Sequence, residues 1–189
     1  MEIRPTVSFE DTATAFRYKS NSELRKANLI FTIVNHPFIS SLATRAVKLG
    51  MSWGLPIRGL VRSTVFEHFC GGETIDKAGH TIEHLGGYNV KTILDYSVEG
   101  EKTEAGFDST AEEILKTFDR ATSSPHVPFC VFKMTGMGNG ALFEKIQAGQ
   151  TLTVEEEDAY KKVRERVDRI CRRAAETGIP VMIDAEETW

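Results

Sequence analysis

The chain has 189 residues, 41% hydrophobic and 26% charged, with a formal net charge of −4 at pH 7. That length carries one ordinary domain with a sizeable core, and the balance is that of a soluble globular protein. A net negative chain lacks the basic surplus of a nucleic-acid binder, so no nucleic-acid partner is expected. Charge is unevenly spread. Residues 1–62 hold nine Lys/Arg against four Asp/Glu, and residues 63–189 hold fourteen against twenty-three. A basic, apolar-rich leading part could touch an anionic membrane surface; an ordinary solvated helix face is the competing reading.

Cys70, Cys130 and Cys171 are odd in number, widely spaced and in no CxxC pair. A disulfide framework or cysteine zinc site is therefore not expected, and a reducing compartment fits. The opening MEIRPTVSFED lacks the charged, apolar, small-residue order of a signal peptide. The most apolar run, LIFTIV, ends at Asn35-His36-Pro37, far short of a spanning helix. The expectation is a soluble, cytoplasmic protein with no spanning segment.

Up to residue 88 the sequence reads as helices. NSELRKANLIFTIV offers Asn21 or Ser22 as N-cap; PFISSLATRAVKLG has Pro37 in a first turn and Gly50 as its stop. PIRGLVRSTVFEHF repeats the Pro-first pattern, and TIDKAGHTIEHLGG carries a stripe of Ile75, Ala78, Ile82 and Leu85 ending at Gly86-Gly87. After residue 88 the texture alternates. YNVKTILDYS reads as a strand, and STAEEILKTFDRATSS as a helix capped by Ser109 or Thr110. VPFCVFKMT is a second strand, GNGALFEKIQAG and TVEEEDAYKKVRERVDRICRRAAETG are helices, and IPVMIDAE is a third strand. The order predicts an α/β fold with parallel strands: a helical segment over 1–88, then three strand–helix units over 89–189.

In parallel α/β proteins ligands bind beyond the carboxyl ends of the strands. Those ends supply Asp95, Lys133 and Asp184. A lysine among acids can hold an anionic group such as a carboxylate, and an acid beside it can orient a polar cofactor edge or relay a proton.

LDYSVEGE at 94–101, VFKMTGM at 131–137 and MIDAEET at 182–188 occur in an order and at intervals that resemble the proline dehydrogenase family. That resemblance implies a flavoenzyme on a (βα)8 barrel that takes L-proline to Δ1-pyrroline-5-carboxylate with hydride transfer to FAD. It further implies a membrane quinone as electron acceptor and a peripheral place at the inner membrane. Lys133 resembles the lysine that pairs with the proline carboxylate, and Asp184 the acid beside the flavin usually counted as catalytic. Ala185 corresponds to a flavin-contacting position and Glu186 to its neighbour. Asp95 and Glu101 resemble supporting acids of the first strand. Ser97-Val98-Glu99 departs from the family's acid followed shortly by Gly-Glu, which loosens the alignment of Glu101.

A (βα)8 barrel needs eight strands, and three are legible here. The family's later arginine near the flavin N5, its tyrosines and its paired arginines are not seen. The expectation is therefore an incomplete barrel, the amino-terminal portion of the enzyme, inactive by itself. A non-catalytic remnant and an unrelated metal-dependent α/β enzyme are the alternatives. Arg172-Arg173 precede the third strand, and a stripe of Val163, Val167, Ile170 and Ala174 turns them outward. His80 and His84 match the H-x-x-E-H zinc spacing, but no third ligand is evident, so exposed helix histidines and no metal site are expected. GMGNG at 136–140 reads as a tight loop before a helix, with contact to a flavin phosphate as the alternative.

Overall fold

The computed structural model describes residues 8–96 and 101–187, so the insertion at 97–99 lies outside the described residues. The chain divides into two compact units, Met1–His84 and Leu85–Trp189.

The first unit is helical. A short α1, Thr12–Ala15, precedes α2, Asn21–Asn35. Ser20 caps α2, one residue before the expected position. The amide of Ser20 donates to Glu23 Oε2 at 2.7 Å and that of Glu23 to Ser20 Oγ at 3.3 Å. This reciprocal pair satisfies two otherwise orphaned donors, which neither Asn21 nor Ser22 could do with Glu23. Helix α3, Pro37–Ser52, starts on its proline as expected and runs past Gly50, which is buried inside it. Then come α4, Arg58–Val61, a π-helical turn over Arg62–Phe66, and α5, Glu67–Phe69. The Lys26 ammonium donates to the Ser63 carbonyl in that turn at 2.7 Å. Helix α6, Ile75–Gly87, buries Ala78 and Ile82, two members of its expected stripe, and leaves His80 and His84 exposed.

The second unit is α/β. Helix α7, Glu104–Ser123, leads to β1, Cys130–Lys133; α8, Gly140–Gln147, and α9, Val154–Thr177, lead to β2, Val181–Asp184. β1 and β2 are parallel, with Cys130 opposite Val181 and Lys133 opposite Asp184. On the other side of β1, Leu94 makes a single parallel bridge to Cys130. The expected first strand is thus reduced to one bridge. Of its apolar side chains Val90, Ile93 and Tyr96 are exposed, so the described residues give no packed face to hold a longer ladder.

Helix α7 also begins earlier than expected. Thr103 is its N-cap, accepting from the Gly106 amide at 3.1 Å, while Ser109 and Thr110 lie inside the helix. Phe107, Ala111, Ile114 and Phe118 of α7, Val131 and Phe132 of β1, and Val163 and Ile170 of α9 form the core. Each buried phenylalanine contributes about 1.5–3 kcal/mol relative to exposure. Val167 and Ala174 are only half-buried, and the position that joins Val163 and Ile170 in the core is Arg166. Arg172 and Arg173 lie outside that core, paired with Asp168 and Asp119. Gly178 closes α9 at φ 68°, a left-handed conformation that suits glycine.

Candidate functional site

Parallel pairing puts the last residues of β1 and β2 side by side, which is why Lys133 and Asp184 meet. The Lys133 ammonium lies 2.5 Å from Glu186 Oε1, 3.6 Å from Asp95 Oδ2 and 3.7 Å from Asp184 Oδ2. Its side chain is 18% exposed, whereas that of Asp184 is 49% exposed. One cation therefore sits among three carboxylates, and the cluster is net negative. The hydrogen bond from Lys133 to Glu186 is the main reason its pKa rises above the ordinary lysine value; burial opposes the rise, and Asp95 and Asp184 add to it. A raised folded pKa means that the pairing is fully present below the ordinary lysine range and is lost only as pH rises through the higher folded value. The lysine is a charged anchor at neutral pH, not a free nucleophile.

Beside this cluster is a cleft of about 90 Å³ lined by Met134, Thr135 and residues 183–187. The Thr135 hydroxyl faces Glu186 Oε2 at 3.4 Å, a long contact. Ala185 contributes no bulk to the wall, and Ile183 is exposed beside it. Pockets that enclose drug-sized ligands run from about 300 Å³ upward. These residues fit one edge of a flavin: an apolar face, a small residue and an acceptor. Enclosing the whole cofactor takes more wall than they provide.

The structure brings Asp95, Lys133, Asp184 and Glu186 together, with Ala185 on the adjoining wall. Glu101 is used elsewhere. Its Oε1 accepts from the amides of Lys102 and Thr103 and from the Thr103 hydroxyl, each at 2.7 Å, at the start of α7. These bonds, the Thr103 amide first, hold its carboxyl below the usual glutamate value. A Cβ on Gly106 would come within 1.9 Å of the Glu101 carboxyl carbon, so glycine there is what lets this carboxylate lie on the first turn. Its described partners make it a helix-capping acid. Among the described residues, no group of three or more His, Cys, Asp or Glu is placed to hold a metal. The acids at the strand ends instead surround a lysine.

Arg166 is a residue that reasoning from the sequence missed. It is buried and tied to the segment that follows Lys133. Its signal was present: 163, 166 and 170 keep the three–four spacing of a buried stripe as well as 163, 167 and 170 do.

The strand-end lysine and its acids all fall within residues 78–189, and a family model described as proline dehydrogenase matches that span, more than half of the chain. The chain is 28% identical to proline dehydrogenase 1, mitochondrial, of Dictyostelium discoideum, over 95% of this chain and 38% of that protein. It is 36% identical to the Caenorhabditis elegans protein of the same description, over 65% of this chain and 20% of the relative. It is 30% identical to the carbapenem antibiotics biosynthesis protein CarD of Pectobacterium carotovorum, over 69% of this chain and 35% of that protein. The match thus spans at most 38% of the length of these relatives. With the family model covering Lys133, Asp184 and the strands that carry them, this chain belongs to the proline dehydrogenase family.

Proposed function

We propose that the chain serves in the oxidation of L-proline to Δ1-pyrroline-5-carboxylate by a flavoenzyme, and that its parallel strands are the first units of a (βα)8 barrel. The observation that carries this reading is Lys133 at the carboxyl end of β1, held by Glu186 and faced by Asp95 and Asp184. In that role Lys133 pairs with the proline carboxylate. Glu186 holds the ammonium, so a substrate carboxylate takes over that contact and Glu186 turns toward Thr135 and solvent. Asp184 is the acid that orients the flavin edge, Ala185 lets the ring approach, and Asp95 keeps Lys133 charged and extended. Glu101 supports the site indirectly, by fixing the start of α7. A bound FAD supplies the two-electron acceptor for the hydride that leaves the substrate carbon.

The expected result for Asp184→Ala in the full-length protein is loss of both flavin retention and proline-dependent dye reduction, while Glu187→Ala leaves both near native. Both residues are exposed acids on the same cleft, so equal effects from the two would mean generic surface charge and would remove Asp184 from its role.

The proposed electron acceptor, a membrane quinone, calls for a surface that meets lipid. No acid occurs between Glu23 and Glu67, a stretch holding six Lys/Arg. Phe38 and Trp53 within it are 81% and 70% exposed. Lys26 and Arg62 pair with Glu67 and Glu73, and apolar side chains near the remaining cations suit a peripheral contact with an anionic bilayer. No helix among the described residues is long and apolar enough to cross a membrane. Sedimentation with anionic vesicles at low salt, lost in neutral vesicles and in Arg45→Glu/Lys48→Glu, is the expected outcome. Equal binding to neutral vesicles would contradict it.

A further inference from the structure

Helices α7 and α9 lie against each other, and two ion pairs that join them sit toward solvent: Arg169 with Glu112, and Arg173 with Asp119. Arg166 differs from both. Its side chain is 3% exposed, and its Nε donates to Asp108 Oδ1 at 2.7 Å and its Nη2 to Glu104 Oε2 at 2.5 Å. The guanidinium lies 5.5 Å from the ring centre of Phe107, between those two acids on α7. A buried cation needs such partners, because leaving it uncompensated is costly. Two carboxylates already meet that need.

The bond that leaves α7 does something else. Nη1 donates to the main-chain oxygen of Met137 at 2.8 Å. Met137 is fully buried and ends the segment that leaves the strand: Lys133 closes β1, Met134–Gly136 form a single 3-10 turn, and Met137 follows. The same segment is wedged from both sides. A Cβ on Gly136 would stand 3.1 Å from Thr110 Cγ2 of α7, and one on Gly138 would stand 2.4 Å from Val163 Cγ2 of α9. Within the turn, Thr135 reaches the Glu186 carboxylate that holds Lys133.

We propose that Arg166 is a positioning residue for the strand-end site: by clamping the Met137 carbonyl to α7 and α9, it sets where the Lys133 ammonium and the Thr135 hydroxyl stand relative to Glu186 and Asp184. Its planar fork is suited to this, since four acceptors on two elements are met by one rigid group. The consequence for catalysis rests on the proline reading above; the placement of Lys133 does not.

The test is a side-chain NMR titration of Lys133 in the full-length protein, alongside proline kinetics, for native, Arg166→Met, Arg166→Lys and Arg169→Met. Arg169→Met removes a link between the same two helices without touching the segment after β1, so it controls for a merely structural role. Native Lys133 is expected to titrate above the ordinary lysine value of about 10.4. Arg166→Met should return it toward that value and raise KM about tenfold or more, with kcat changed less. Arg169→Met should match native. Should Arg166→Met fail to fold, Arg166→Lys decides: it keeps the charge, loses the fork, and should move Lys133 part of the way. An unmoved Lys133 titration in the Arg166 variants, or an equal shift in Arg169→Met, overturns the proposal. A Lys133 shift confined to the Arg166 variants, in a protein that does not oxidise proline, supports the positioning role and sinks the proline reading instead.

Discussion

Lys133→Met in the flavin-loaded full-length protein is expected to lower kcat/KM for L-proline by roughly tenfold to over a hundredfold, mainly through KM, with bound flavin retained. Hydrogen bonds to charged groups contribute about 1.5–3 kcal/mol, and that range sets the fold-change. Methionine keeps most of the volume and removes the charge. The carboxylates left behind are substantially exposed, so water screens their mutual repulsion and the strand ends are expected to stay folded. Flavin content by visible absorbance separates loss of substrate binding from loss of the cofactor. Native kinetics in this variant would take Lys133 out of the site.

Phe118→Ala is expected to destabilise the protein by about 3–5 kcal/mol. Phe118 is fully buried on α7, the helix that packs on both β1 and α9. Removing its ring leaves a cavity in that layer, which close-packed neighbours refill only partly. Urea unfolding with an unchanged m-value measures this directly. Phe129→Ala is the matched comparison, because Phe129 is exposed on the approach to β1; a similar loss in both would mean that the layer is not packed as described.

What was legible from the residues alone was what depends on local pattern. Apolar runs closed by one ionisable residue predicted β1 and β2, and parallel pairing then placed Lys133 beside Asp184. The long α9 and its glycine stop followed from periodicity and a left-handed cap. Less legible was anything set by competition between partners. The family resemblance puts Glu101 with Asp95 as a supporting acid, yet nearby amides and the Thr103 hydroxyl engage its carboxylate. Thr103 outcompeted Ser109 and Thr110 as a cap because Glu101 braces it and Gly106 leaves room. Arg166 escaped notice because an arginine on a helix is read as solvated unless acids on another element are known to face it. Glu104 and Asp108 stand about sixty residues away in sequence. Glu186 was legible only as a neighbour of Asp184, and which of the two acids stands nearer Lys133 depends on how the chain turns after β2.

The most direct test is a crystal structure of the flavin-loaded full-length protein with L-proline bound. The expected result is Lys133 Nζ about 2.7–2.9 Å from a proline carboxylate oxygen, with Glu186 displaced from the ammonium that it holds at 2.5 Å here. Lys133 still bound to Glu186, with the proline carboxylate held elsewhere, would contradict the assignment of this strand-end lysine as the substrate anchor.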